Sequence, residues 1–201
     1  MSTMFLKISL FLFAYLLGSI PTAYWYAKFF HGIDIRQHGS GNIGATNSLR
    51  VLGKKAGIIV LIFDLLKGLI PAYLARFLGL SEDLVFLIGI TSILGHIFSV
   101  FAGFKGGKGI ATSLGVILAV SPIGGGVSVL VFITVVYITK YVSLGSLLAG
   151  LAFVVYFLIS NGVLNSLSYI AIGLLLLIVF THRVNIQKLM HGNENKLGKK
   201  V

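Results

Sequence analysis

The chain has no cysteine, three prolines and one tryptophan, and only 10% of its 201 residues are charged. The lack of cysteine excludes disulfides and thiolate chemistry, and leaves the redox compartment undetermined. So little charge excludes an ordinary soluble domain, where about a quarter of residues are charged. No internal repeat, polar linker or low-complexity tract interrupts the sequence. No histidine–carboxylate cluster has metal-ligand spacing and no Ser–His–Asp set is evident, so nothing indicates a metal or another cofactor.

Apolar residues are abundant instead, at 57% of the chain with a mean hydropathy of +1.00. A membrane span needs about 20 mostly apolar residues, and runs such as "ISLFLFAYLLGSI" and "LSYIAIGLLLLIVF" answer that description. Apolar segments fall at 8–27, 56–75, 84–104, 110–121, 126–139, 142–160 and 164–181. The first continues through "IPTAYWYAKFF", past any signal-peptide cleavage point, and is expected to be a retained span. Segments 110–121 and 126–139 are short, and "SPIGGG" between them reads as a turn. They would be two short spans or one broken helix.

Charge placement favours seven spans with the N-terminus outside. The inside segments then hold Lys28, Arg36, Arg50, Lys54, Lys55, Lys105, Lys108, Lys140, Arg183, Lys188, Lys196, Lys199 and Lys200. Only Lys7 and Arg76 fall outside, with Lys67 inside a span. Merging the two short segments would put the basic C-terminus outside, against the positive-inside rule. The net charge of +11 therefore reports cytoplasmic loops rich in Lys and Arg, plus any anionic substrate, ahead of nucleic acid. The expected fold is all-α, a polytopic membrane bundle of about seven transmembrane helices forming one domain over residues 1–201. Its N-terminus is outside, its C-terminus cytoplasmic, and every notable polar stretch lies on the cytoplasmic face.

Three such stretches stand out. The first, 28–55, contains "GSGNIGATN". Its glycines allow positive φ and free N–H groups that can form an anion nest. Thr46 or Asn47 could cap a helix running into "SLRVLGKKAG", with Arg50 on its first turns. A plain glycine turn beside inside-positive charges is the competing reading. The second, "GFKGGKG" at 103–109, departs from a Walker A loop because Ala102 replaces the first glycine and Gly109 the Ser or Thr. Two lysines among glycines before an apolar segment still suit a phosphate. They also suit a tight turn with snorkelling lysines. The third, "THRVNIQKLMHGNENK" at 181–196, brings His182, Arg183 and Asn185 within one turn. They could serve a phosphate or proton transfer, or an interfacial helix on anionic lipid. Asp64 and Lys67, three apart, are expected to pair towards the bundle. His96 is read as a core histidine rather than a support for the loop behind it.

The ordered set "GSGNIGATN" with Arg50, "FKGGKG", then "HR-x-N-I" resembles the bacterial acyl-phosphate:glycerol-3-phosphate acyltransferase family. The resemblance runs from "GSIPTAYWYAK" to "GNENK". It implies transfer of a fatty acyl group from acyl phosphate to the 1-hydroxyl of sn-glycerol 3-phosphate, giving lysophosphatidic acid and phosphate. It also implies a soluble partner enzyme that makes the acyl phosphate, contact with membrane lipid, and location in the bacterial inner membrane. Matching the motifs implies substrate binding by Ser40, Gly41, Asn42, Thr46, Asn47, Arg50, Gly106, Gly107, Gly109, Arg183 and Asn185. Lys105, Lys108 and His182 take catalytic roles, with His182 or a donor phosphate oxygen as the base.

Two positions depart from the family pattern: Val184 where Glu is usual and Ser99 where Pro is common. The first leaves no carboxylate assigned as base. A transporter of a phosphorylated solute and a lipid-binding anchor are the rival classes. The gathering of polar residues on one face weighs against the transporter. Three separate polar motifs weigh against the anchor.

Overall fold

Stretches this apolar must satisfy their backbone internally when they enter lipid, and a helix does so within a single segment. The computed structural model describes residues 3–163 and 165–198, and among these every regular element is helical. Helix α1 spans Thr3–Ser19, α2 Thr22–His31, α3 Ala45–Leu52, α4 Lys54–Phe77 and α5 Glu82–Ile97. After these come α6 Ile110–Val120, α7 Pro122–Thr139, α8 Val142–Asn161, α9 Ser166–Thr181 and α10 Arg183–Met190. Short 3-10 turns lie at Ile35–Gln37 and Val100–Ala102.

Four segments are long and apolar enough to cross a membrane: Lys54–Phe77, Glu82–Ala102, Pro122–Thr139 and Val142–Asn161. The pairs α1–α2 and α9–α10, bent by 41° and 61°, bring the number to six if each pair is one span. At 11 residues α6 is shorter, reaching about 16 Å of the roughly 30 Å hydrocarbon core.

The expected turn at "SPIGGG" is confined to Ser121. Pro122 occupies the first turn of α7, where its missing N–H costs nothing, and Ser121 Oγ accepts from Gly124 N–H at 3.2 Å. Gly124, Gly125 and Gly126 are therefore helical, and α7 starts four residues before the apolar segment expected at 126–139.

The chain divides into two compact units, the first running to Val120 and the second beginning at Ser121. In the first, α4 packs on α6 and α1 on α5 through glycines. A Cβ on Gly68 would lie 2.0 Å from the Thr112 carbonyl oxygen, and one on Gly115 2.0 Å from that of Leu65. On the α1–α5 seam, a Cβ on Gly18 would lie 2.1 Å from the Ser92 carbonyl oxygen and one on Gly95 2.2 Å from that of Tyr15. Such close backbone approach maximises van der Waals contact, since lipid supplies no hydrophobic drive between helices. Arg76 closes the far end of this unit. Its guanidinium pairs with Glu82 and donates to the Ala119 and Val120 carbonyls, satisfying the last groups of α6.

In the second unit α8 packs on α7 and α9, and α10 touches α8 and α9. Lys140 ends α7 in the left-handed region, and its carbonyl accepts from Leu197 N–H at 2.8 Å. The chain after α10 is thereby tied back to the α7–α8 turn.

Candidate active site

In the first unit the asparagine–glycine loop rises from the Ile35–Gln37 turn. Asp34 starts that turn, its Oδ1 accepting from Arg36 N–H at 3.0 Å, and its carboxylate pairs with the Arg36 guanidinium at 2.6 Å. The side-chain hydrogen bond from Arg36 holds the Asp34 carboxyl at about 2. The Arg36 guanidinium also stacks 4.5 Å from the Tyr24 ring centre. Gly39 and Gly41 then turn the chain with φ of 61° and 72°.

Asn47 holds this loop from behind. Buried to 1% exposure, its Oδ1 accepts from Ser40 N–H at 2.8 Å, and its Nδ2 donates to the carbonyls of His38 at 3.0 Å and Ile35 at 3.4 Å. Helix α3 begins at Ala45 with Gly44 as cap, so neither Thr46 nor Asn47 caps it. This early start places Arg50 in the last turn of the eight-residue helix, not the first. Ser40 is exposed, whereas Gly41, Asn42, Thr46 and Arg50 are half-buried.

The lysine loop leaves α5 through the Val100–Ala102 turn and two residues at positive φ, Gly103 at 63° and Phe104 at 60°. Gly106 N–H donates to the Ile97 carbonyl at 2.9 Å and Gly107 N–H to the His96 carbonyl at 3.1 Å. These amides therefore cap the C-terminus of α5, where helices leave carbonyls unpaired. A Cβ on Gly106 would meet the His96 carbonyl oxygen at 1.9 Å, and one on Gly107 would meet His96 Nε2 at 2.2 Å. Close approach to α5 is what requires glycine at these two positions. Gly109, at φ 78°, accepts from Ser113 N–H at 2.7 Å and opens α6. Lys105 is exposed and Lys108 half-buried.

The two loops share a floor. Ala23 and Ala27 of α2, Ile35, Ile43, Val60 and Ala102 form one buried apolar cluster, so the segments flanking each loop rest on the same residues.

In the second unit His182 sits at the bend between α9 and α10 at 2% exposure. Its Nδ1 lies 2.9 Å from the Ile178 carbonyl oxygen. A carbonyl only accepts, so Nδ1 carries the proton, and in the neutral ring Nε2 is the basic nitrogen. Arg183 turns back, donating to the Phe180 carbonyl at 2.9 Å with its guanidinium 4.5 Å from the Phe180 ring centre. Asn185 Nδ2 donates to Glu194 Oε1 at 2.8 Å, and Ser143 Oγ donates to the same oxygen at 2.9 Å.

Sequence reasoning missed this pairing of Ser143 and Glu194. Fifty-one positions separate them, and no periodicity links them. Val184, the departure beside Asn185, is 52% exposed. Among the described residues no group of three His, Asp or Glu could hold a metal ion.

Apolar spanning helices joined by short glycine-, lysine- and asparagine-bearing segments define a multi-pass membrane protein. A family model described as glycerol-3-phosphate acyltransferase matches residues 8–192, and the chain belongs to that family. It is 45% identical over 184 residues to the glycerol-3-phosphate acyltransferase of Fusobacterium nucleatum subsp. nucleatum, covering 90% of this chain and 93% of that one. It is 48% identical to glycerol-3-phosphate acyltransferase 2 of Bacillus anthracis, covering 92% and 95%. Among solved structures it resembles PlsY (YgiH), an integral membrane glycerol 3-phosphate acyltransferase, in its glycerol 3-phosphate form. The TM-score is 0.90 at 43% identity, with 96% of each chain covered. The lysophosphatidic acid form of PlsY gives a TM-score of 0.87 at 42% identity, covering 96% and 95%.

Proposed function

We propose that this protein transfers a fatty acyl group from acyl phosphate to the 1-hydroxyl of sn-glycerol 3-phosphate, releasing lysophosphatidic acid and phosphate. The observation that carries the reading is the likeness, over 96% of the chain, to a solved acyltransferase in its glycerol 3-phosphate form. It acts as one acyltransferase domain of seven spans, with α6 counted as a span beside the four long segments and two bent pairs. Its N-terminus is outside and its loops face the cytoplasm across the bacterial inner membrane. A soluble enzyme supplies the acyl phosphate.

The residues divide into two groups. Ser40, Asn42, Thr46, Arg50, Lys105 and Lys108 bind and orient phosphate. Asn47, Gly106, Gly107 and Arg183, whose polar groups bond within the protein, shape the loops that present them. Acyl phosphate is already activated, so the glycerol hydroxyl attacks its carbonyl directly. The carbon–oxygen bond to phosphate then breaks, and a lysine neutralises the charge that develops on the leaving group. The hydroxyl proton passes to His182 or to a phosphate oxygen of the donor.

Purified protein in detergent, given acyl phosphate and glycerol 3-phosphate, should release phosphate and form lysophosphatidic acid. Phosphate release without that product would overturn the reading. A His182→Gln variant with near-normal kcat would remove the histidine from the proton transfer.

A further inference from the structure

Three ionisable side chains of the first unit lie buried and outside the chemistry just described. Asp64 is 2% exposed, Lys67 3% and His96 7%. Lys67 Nζ stands 2.5 Å from Asp64 Oδ1. The same Oδ1 lies 3.9 Å from His96 Nδ1, beyond hydrogen-bond distance. An ion pair sunk in a helical bundle gains little net stability over apolar residues of the same volume. Its presence calls for another role, and the two ends of this network suggest one.

One end is the lysine loop. His96 has Asp64 on its Nδ1 side and Gly107 against Nε2, so close that a Cβ there would stand 2.2 Å away. Its carbonyl accepts from Gly107 N–H at 3.1 Å. The ring and the carbonyl of one residue thus set the height and direction of the loop between Lys105 and Lys108. The other end is the break between α1 and α2. Lys67 Nζ donates to the Ile20 carbonyl at 2.5 Å, where α2 begins. Helix α2 packs on the Ile35–Gln37 turn and on α3, which flank the asparagine–glycine loop. Ser92 Oγ, donating to the Lys67 carbonyl at 2.6 Å, fixes α5 to α4 between these ends.

We propose that Asp64, Lys67 and His96 are positioning residues, a buried network that sets both phosphate-binding loops of the first unit from below. The inference rests on the proposed role of those loops. It assigns the network no contact with substrate and no proton transfer.

The experiment measures KM for glycerol 3-phosphate, KM for acyl phosphate and kcat in purified His96→Gln and in Asp64→Asn/Lys67→Met, which removes both buried charges together. Lys108→Ala serves as a control on the loop reading itself. A displaced loop should raise the glycerol 3-phosphate KM roughly tenfold to a hundredfold, with the folded fraction close to wild type. A core role would instead lower the folded fraction and leave the constants of the surviving enzyme unchanged. If Lys108→Ala raises that KM while both folded network variants keep the wild-type value, the positioning role is overturned and the loop reading stands. If Lys108→Ala leaves it unchanged, the loop reading fails first. Failure of both network variants to fold overturns the positioning role in favour of a core role.

Discussion

Ser40 and Asn47 are joined by a 2.8 Å hydrogen bond from the Ser40 backbone N–H to Asn47 Oδ1, closing the glycine loop onto the helix that follows it. The Asn47 amide also donates to the His38 and Ile35 carbonyls, so its one acceptor and both donors hold backbone. Asn47→Ala should therefore cost about 2–3 kcal/mol, the sum of these bonds at about 1 kcal/mol each. Asn47→Asp keeps the acceptor but sets a carboxylate against two carbonyls, and should recover little. Thermal unfolding in detergent checks both. An Asn47→Ala protein of wild-type stability with a raised KM would show Asn47 meeting substrate instead.

The outline of the fold was legible because apolar runs and turn residues are local signals. Asp64 and Lys67, three apart on one helix, announced their pairing in the same way. What escaped was non-local or overridden by context. Asn47 looked like a helix cap because Asn favours that position, but its partners lie seven to twelve residues back. The helix starting at Ala45 then carried Arg50 into the last turn. Three glycines after Pro122 read as a turn, yet helical geometry satisfies their backbone and the helix persists. His96 is buried, as the apolar segment around it implied. Its second role under Gly107 depends on a chain reversal that no spacing encodes. Arg76, a cation apart from the other basic loops, has a structural reason at the carbonyls of a helix more than forty residues on.

Glycines in these helices should separate by what surrounds them. A Cβ at Gly115 meets the Leu65 carbonyl oxygen at 2.0 Å. Gly115→Ala must therefore push α6 from α4, at about 1–3 kcal/mol. At Gly126, within α7, a Cβ meets nothing within 4 Å. Gly126→Ala should stabilise the helix by about 0.5–1 kcal/mol. Opposite shifts in the unfolding midpoint are expected, and shifts of the same sign would contradict the packing described.

Ser99, where the family commonly has proline, sits at φ −64°, the angle a pyrrolidine ring fixes. Its hydroxyl donates to the Ser19 carbonyl and ties α5 to α1. Ser99→Ala loses that tie, at about 1 kcal/mol. Ser99→Pro loses it too but restricts the unfolded chain, regaining about 0.4–1 kcal/mol. Unfolding midpoints should run wild type and Ser99→Pro close together, with Ser99→Ala lowest. A Ser99→Pro midpoint below that of Ser99→Ala would show that this backbone rejects the ring.

The Asp34–Arg36 pair makes a prediction about pH. Arg36 lowers the Asp34 carboxyl from 3.8 to about 2. A carboxyl with a depressed folded pKa contributes its stabilisation above 3.8 and loses it as pH falls towards 2. The pair is partly exposed, with the Arg36 side chain 38% and the Asp34 side chain 21% accessible, so the effect on global stability should be small. Carboxyl-carbon NMR should place the Asp34 midpoint near 2 in the wild type and return it towards 3.8 in Arg36→Ala. An unmoved midpoint would mean the pair does not form in solution.

Glu194 joins the chain after α10 to the body of the second unit. Its Oε1 accepts from Ser143 Oγ and Asn185 Nδ2, while the neighbouring Leu197 N–H reaches the Lys140 carbonyl. Hydrogen bonds to a charged acceptor contribute about 1.5–3 kcal/mol each. Glu194→Ala should thus lower the unfolding midpoint more than either Ser143→Ala or Asn185→Ala, because it removes both bonds at once. Glu194→Gln keeps an oxygen where both donors point and should stand between Glu194→Ala and wild type. Limited proteolysis after Met190 gives a second readout, since loss of the tie should expose that segment first. Wild-type stability and protection in Glu194→Ala would show that the chain is held at Lys140 alone.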